Sequence, residues 1–301
     1  MPELPEVQTV VNDLNKKIIG RRISGVWFDT PKIIKKPKPE DLGLKIKGLR
    51  ITEVKRRGKN ILIGLSQGLR VNGQWLLLIH QKMTGHLLYG KWRIKKVSNF
   101  KFQVSSLLKG PFREKVNDYI HLIFYLDNGM QLALSDLRKF AKVLLGTRKE
   151  IENLPELQKM GPEPLDKSFK VNKFVSLISL ERRKIKQVLM DPYVIAGIGN
   201  IYSDDILWQA KIHPLTPTNQ LTTNQLNNLY VAMRQILRKA LKLRGTSISD
   251  FRDTSGKVGF YGNKRLVYQR EDEPCRRCGT EIKRIKIGGR SSCFCPKCQR
   301  M

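Results

Sequence analysis

Cysteine is absent from the first 270 residues of the chain. That excludes a disulfide framework for the bulk of the fold. Acidic residues are scarce as well: 26 Asp and Glu stand against 57 Lys and Arg, a net charge of +31. Solubility does not require such an excess, so it points to a polyanionic partner, with a merely basic surface as the plain alternative. No strongly amphipathic basic helix accompanies the charge, which favours nucleic acid over a membrane surface. No apolar run is long enough to span a bilayer, and the first residues lack the basic-then-apolar order of a signal peptide. The expectation is a cytoplasmic, nucleoid-associated protein. A hydrophobic fraction of 40% over 301 residues argues for ordinary globular cores, either two domains or one domain with appendages.

What is present begins at Met1-Pro2-Glu3-Leu4-Pro5-Glu6-Val7. Removal of Met1, which the small Pro2 permits, leaves a secondary amine whose pKa of about 8 provides a neutral fraction near neutral pH. Val7, Val10, Val11, Leu14 and Ile18 then follow the spacing of one helical face, with Gly20 as its stop. The positive end of that helix disfavours a protonated amine beside it, and Glu3 and Glu6 are spaced to share a face of its first turn. Pro and Glu are also ordinary first-turn residues, so this stretch alone favours a purely structural role.

Further along the texture becomes β. Arg22 to Asp29 alternates, and Pro31 to Lys47 reads as a Pro- and Lys-rich solvated loop. Ile51–Val54 and Ile61–Leu65 read as strands around a basic turn in which Gly58 leaves Lys59 projecting. Leu76–His80 is a further strand. Tyr119–Leu126 and Gln131–Leu134, joined through Asp127-Asn128-Gly129, predict a hairpin with a two-residue Asn-Gly turn. Helices are expected near 149–160, 170–180, 183–190, 201–210 and 222–243. Between two of them, Gly197-Ile198-Gly199-Asn200 has the form of a phosphate-binding nest, although a lone pattern of this kind reads first as a close helix–helix turn.

The end of the chain carries the most specific spacing. Cys275-x-x-Cys278 and Cys295-x-x-Cys298 are separated by sixteen residues. Two such knuckles are the ligand pattern of a four-thiolate zinc site, with Cys293 pointing elsewhere. Lys283, Arg284, Lys286 and Arg290 lie between the pairs, which suits a reader of the DNA backbone.

Taken together, PELPEV, RRGKN, HQKMTG, LSDLRKF, MGPEPL, LMDPYVIAGIGNIYSDDILWQAKIHPL and GGRSSCFCPKCQ run in one order along nearly the whole chain. In this the sequence resembles the bacterial formamidopyrimidine-DNA glycosylases, and the PELPEV opening sets it closer to them than to the related endonuclease VIII branch. The resemblance implies an α+β fold: an N-terminal helix and β-sandwich domain (1–150), a helix–two-turn–helix domain (151–263) and a C-terminal four-cysteine zinc finger (264–301). It implies a monomeric, bifunctional glycosylase and abasic-site lyase acting on double-stranded DNA that contains oxidised bases or abasic sites, with 8-oxoguanine and formamidopyrimidines as substrates. One structural Zn2+ ion is implied on Cys275, Cys278, Cys295 and Cys298.

By the same resemblance Pro2 is the nucleophile, Glu3 the acid that assists sugar opening, Lys59 a phosphate contact that assists the chemistry, and Arg290 the finger arginine of δ-elimination. Asn200 is a phosphate contact. Met83, Arg138 and Phe140 fill the void left by the extruded base, although each also reads as an ordinary core or surface residue when taken singly. Tyr119 stands where the family often has a DNA-contacting histidine, which puts that contact in question. A basic position appears as Glu181, with Arg182 and Arg183 beside it, and a glycine is replaced by Gln269. The stretch from Gly90 to Glu114 reads as an extra basic loop or hairpin. The segment Thr246 to Asn263 matches the one that covers the flipped base. Two other readings remain open: an oxidised-pyrimidine glycosylase of the endonuclease VIII type, and a non-catalytic zinc protein that binds damaged DNA.

Overall fold

The computed structural model describes residues 1–68, 74–98, 101–248 and 250–301. Parts of the expected insertion (residues 99 and 100) and of the 246–263 segment (residue 249) lie outside the described residues. Contacts divide the chain into two compact units. The first holds Met1–Pro2, Glu6–Gln158 and Arg244–Phe260; the second holds Glu3–Pro5, Lys159–Leu243 and Tyr261–Met301. No helix among the described residues is long and apolar enough to cross a membrane.

From Glu6 on, α1 (Leu4–Lys17) belongs to the first unit, and its Val7, Val10, Val11 and Leu14 are buried, as is Ile18 just beyond it. Glu6 in the first turn and Lys16 and Lys17 in the last complement the helix dipole. Gly20 takes the left-handed conformation (φ +80°) that turns the chain into β1 (Ile23–Phe28). The stretch expected to be a solvated loop instead forms β2 (Ile34–Lys36) and α2 (Pro39–Ile46). Pro39 at the helix start, Glu40 and Asp41 in the first turn and the buried pair Leu42 and Ile46 explain α2. The lysine run hides these signals, because only one apolar pair shows the helical spacing.

β3 (Arg50–Arg57), β4 (Asn60–Ser66), β5 (Trp75–His80) and β6 (Gly85–Gly90) follow as antiparallel strands. An added hairpin, β7 (Trp92–Ser98) with β8 (Lys101–Ser106), precedes β9 (Ile120–Leu126), β10 (Gln131–Asp136) and β11 (Lys142–Thr147). One sheet has the order β1-β9-β10-β6 and the other β2-β11-β5-β4-β3. Ile61, Ile63, Leu77, Ile79, Val143 and Leu145 of one sheet share a core cluster with Leu87, Leu122, Phe124 and Leu134 of the other, and with the apolar stripe of α1. Alternation along each strand delivers this face, and the two sheets form the sandwich that the resemblance implies.

The β9–β10 hairpin forms as expected, but its loop has three residues and not two. Gly129 N–H donates to Leu126 O (3.0 Å) and Leu126 N–H to Met130 O (3.0 Å), with Gly129 at φ +73°. That is a type I turn closed by a left-handed glycine. The predicted 149–160 helix is broken into α3 (Arg148–Glu152) and α4 (Pro155–Gln158). Thr147 and Glu150 form a capping box on α3, and Pro155 starts the second piece because it cannot continue the first. Residues 244–260 pack in this unit too: Arg244 pairs with Asp13 (2.5 Å) and Asp253 (2.7 Å), and Tyr89 N–H donates to Thr254 O (2.7 Å).

The second unit is helical: α5 (Val171–Ser179), α6 (Ile185–Met190), α7 (Asn200–Ala210) and α8 (Thr223–Lys242). Phe174, Ile178, Val188, Tyr202, Ile206, Leu229 and Met233 form its core. Thr222 and Gln225 cap α8 reciprocally, and Lys211 closes α7 in the left-handed conformation (φ +59°). The chain ends in the hairpin β12 (Lys283–Ile287) with β13 (Arg290–Phe294). Buried Asp205 fastens 261–268 to α7: it accepts from Tyr261 Oη (2.7 Å), Val267 N–H (2.9 Å) and Leu266 N–H (3.0 Å).

Gln269 holds φ +50°, a conformation that costs a side-chain-bearing residue about 1–2 kcal/mol. Gln269→Gly relieves that strain but gains unfolded-state entropy worth about 0.4–1 kcal/mol. The expected outcome is a small net stabilisation, of the order of 0.5–1 kcal/mol, read as a higher denaturant midpoint at unchanged slope. A lower midpoint would refute it.

Candidate functional site

At the chain start Met1 is exposed while Pro2 and Glu3 are buried. α1 begins at Leu4, so Glu6 alone of the two glutamates stands in its first turn. Glu3 turns elsewhere. Its carboxylate accepts from Gly199 N–H (2.7 Å), Ile201 N–H (2.9 Å) and Tyr202 N–H (3.4 Å), at the N-terminal end of α7. The donors that resemble a phosphate nest therefore receive a side-chain carboxylate, for the same dipolar reason. The glycine is sterically required: a Cβ on Gly199 would lie 2.4 Å from the Glu3 carboxyl carbon. Glu6 makes a separate fastening within the first unit, accepting from Thr246 N–H at 2.7 Å.

The β3–β4 turn is built as predicted, with Gly58 at φ +56° and Arg57 paired to Asn60, leaving half-buried Lys59 at its tip. Arg56 Nη1–H donates to Gly58 O (2.8 Å), which stiffens the turn. Close by, burial and then the charges of Lys82, Lys59 and Lys142 lower the pKa of His80 to about 3. The imidazole is therefore neutral, and its Nδ1 accepts from Lys82 N–H at 2.9 Å.

Met83 and Phe140 are 45% and 49% exposed, unusual for side chains of this kind, and the Arg138 guanidinium lies 4.5 Å from the Phe140 ring centre. Sequence reasoning missed what holds them. Fully buried Asp136 accepts from Phe140 N–H (2.7 Å), Ala141 N–H (2.7 Å) and the Thr84 hydroxyl (2.5 Å). Thr84 Oγ1 in turn accepts from Arg138 N–H at 3.1 Å. One carboxylate and one hydroxyl thus clasp the turn after β5 to the turn after β10. Lys82 and Lys139, each preceding a protruding apolar residue, both stand at φ +56°. With Met1, Met83, Phe140, Lys32 and Lys35 they line a cavity of about 480 Å³. The local signal is Asp at the head of a tight turn, which is legible only once the turn is known. Tyr119 is half-buried, does not line that cavity, and contributes its carbonyl to Asp136 N–H (2.7 Å).

In the second unit the structure brings Asn200 and Arg290 together. Both line a cavity of about 500 Å³ with Tyr268, Gln269, Arg284 and Cys293. Asn200 Nδ2–H donates to Ser291 O (2.9 Å), which ties α7 to β13. Beneath them lies an ion pair, Lys186 Nζ to Asp204 Oδ1 at 2.6 Å, with side chains only 2% and 1% exposed. Asp204 also accepts from Ser292 Oγ (2.5 Å) and Cys293 N–H (3.0 Å), and Lys186 donates to Asn200 O (3.1 Å). Glu181, at the expected basic position, is paired to Arg183 (2.7 Å).

The sulfurs of Cys275, Cys278, Cys295 and Cys298 all lie within 4.8 Å of one another, and three of the pairs stand at 3.4, 3.5 and 4.0 Å. A tetrahedral ion with metal–sulfur bonds of about 2.3 Å has ligand–ligand edges of about 3.8 Å, so the four thiols fit zinc. Trp208 Nε1–H (3.3 Å) and Arg277 N–H (3.5 Å) point at Cys275 Sγ, and Arg277 covers the Trp208 ring at 3.8 Å. Such donors stabilise a thiolate ligand. Cys293 is buried outside the cluster, as expected.

Three family models match the chain: the formamidopyrimidine-DNA glycosylase N-terminal domain over residues 1–143, the formamidopyrimidine-DNA glycosylase H2TH domain over 160–252, and the zinc finger found in FPG and IleRS over 272–300. The formamidopyrimidine-DNA glycosylase of Desulforamulus reducens is 36% identical over 301 residues, covering 100% of this chain and 99% of the relative. That of Chloroflexus aurantiacus is 37% identical over 300 residues, covering 99% and 98%. Among solved structures, the Lactococcus lactis Fpg in complex with abasic-site DNA superposes with a TM-score of 0.82 at 33% identity, covering 99% of this chain and 100% of that one. The MutM (Fpg) protein of Thermus thermophilus gives 0.80 at 30%, covering 99% and 98%.

The Lys186–Asp204 pair provides a measurable consequence. Lys186→Met leaves a carboxylate buried without its cation and is expected to cost about 3–5 kcal/mol. Adding Asp204→Leu should recover part of that loss, because an apolar pair no longer carries a stranded charge. Denaturant unfolding of the two variants checks this; equal stability of single and double variants would contradict it.

Proposed function

The chain belongs to the formamidopyrimidine-DNA glycosylase family, and from that premise we propose that it excises oxidised purines from double-stranded DNA and then cuts the strand at the abasic site. It is a DNA glycosylase of base excision repair with abasic-site lyase activity. The observation that carries the reading is the buried Pro2-Glu3 opening, with the Glu3 carboxylate locked by backbone donors at the start of α7.

A base within the duplex is out of reach, so the nucleotide is extruded before chemistry begins. With Met1 removed, the Pro2 nitrogen attacks C1′ of the deoxyribose and the damaged base departs. The resulting iminium, cationic without further protonation, is the electron sink for β-elimination of the 3′ phosphate and δ-elimination of the 5′ phosphate. Glu3 exchanges a proton with the ring oxygen during sugar opening, held in place by its backbone partners. Lys59 and Arg290 bear on the phosphates, and Asn200 assists the grip from α7. Met83 and Phe140 occupy the vacated space while Arg138 meets the orphaned base.

The finger holds one zinc ion through Cys275, Cys278, Cys295 and Cys298; bound there it closes the hairpin that presents Arg290 and supplies no chemistry to the sugar. The protein works as a monomer on DNA in the cytoplasm.

Borohydride trapping on a duplex containing 8-oxoguanine should give a covalent protein–DNA complex. Pro2→Gly should lower its yield by about two orders of magnitude or more, as removal of a nucleophile does. Undiminished trapping, or a mature protein that keeps Met1 and still cuts, would overturn the assignment. A panel of oxidised purine and pyrimidine duplexes decides between this activity and that of the sister branch. Cys278→Ser should cut zinc content measured by metal analysis and weaken DNA binding, since a four-thiolate site tolerates no missing ligand without loss of affinity.

A further inference from the structure

The hairpin β7–β8 has two unlike faces. Trp92, Ile94 and Val104 face the cluster of Leu88, Ile123 and Ala133 on the outside of the four-stranded sheet. Trp92 stacks edge-on against Phe112 (5.8 Å) and Phe102 against Trp27 (5.6 Å), which staples the ribbon down. Residues paired across the two strands share a face, and Arg93 pairs with Ser105 while Lys95 pairs with Gln103. All four of these side chains are exposed, as are the neighbouring Lys91 and Lys96. Over residues 91–115 there are eight Lys and Arg against one acid, Glu114, and that acid is already bound to Arg252 at 2.8 Å.

We propose that this outward face is an additional docking surface for the phosphate backbone of duplex DNA beyond the lesion. The inference rests on the reading of the chain as a DNA-repair enzyme. Cations interleaved with Gln and Ser side chains are the groups that contact phosphate and sugar oxygens. A like-charged face repels itself until a polyanion neutralises it. The aromatic staple fixes the ribbon in advance, so binding does not have to order it. Lysines on a short exposed ribbon also serve to discourage strand pairing with other chains, and the experiment separates that role from DNA binding.

The variant combines Lys91→Gln, Arg93→Gln and Lys95→Gln, all exposed positions. Its affinity for a long undamaged duplex is compared with that of the full wild-type chain between about 50 and 200 mM salt. Each lost phosphate contact lowers the slope of log K against log salt by about 0.9, so three contacts lower it by about 2 to 3. Affinity at the lower salt should fall about tenfold or more, while single-turnover excision from a short lesion duplex stays within about twofold. An unchanged slope would overturn the proposal and leave the lysines as guards of the ribbon. Loss of RNA binding with duplex DNA binding intact would overturn it too. A wild-type protein that binds duplex but excises nothing would refute the catalytic reading, and the slope comparison would still decide this one.

Discussion

Most of what this chain can do at its N-terminus depends on one carboxylate meeting the open end of one helix. Glu3 occupies the backbone donors of Gly199 and Ile201, groups that a helix start always leaves without internal partners. Hydrogen bonds to a charged acceptor are roughly twice as strong as neutral ones, and here they are buried. A terminus that would otherwise fray is thereby given one conformation, and Pro2 stands immediately before the anchored Glu3. Gly199 serves this approach, while Gly197 makes room for Leu4.

Short acids inside a very basic protein repeat the same device. Asp136 gathers the turns that carry Met83 and Phe140, Asp205 fastens the segment before the finger, and Asp204 joins α6, α7 and β13. Each carboxylate is fully buried, and burial pushes the Asp204 and Asp205 pKa values up while their donors act in the opposite direction. Their satisfaction by several donors is what makes such burial tolerable. These buried acids organise loops from beneath, in a chain whose net charge of +31 suits a polyanionic partner.

Legibility follows the range of the interaction. The stripe Val7, Val10, Val11 and Leu14, the strand pair around Gly58, and the cysteine knuckles are all set by neighbours within one element, and each forms as read. The helix over Pro39–Ile46 is hidden because six lysines outweigh a single apolar pair in the pattern. The 149–160 helix fails at Pro155, a local signal that propensity over a wider window conceals. The Asn128-Gly129 turn lies where it is expected but is longer, since one extra residue in the left-handed region closes it as well.

By itself the sequence determined the sandwich alternation, the amphipathic first helix, the sixteen-residue spacing of the thiol pairs and the family to which the chain belongs, because periodicity and spacing are written along the chain. Tertiary structure alone decided that Glu3 meets a turn 196 positions away, that Thr84 meets Asp136, and that Lys82, Lys139 and Gln269 accept left-handed backbone. Those outcomes depend on which donors and surfaces folding brings within hydrogen-bond distance, and no pattern confined to neighbouring residues encodes them.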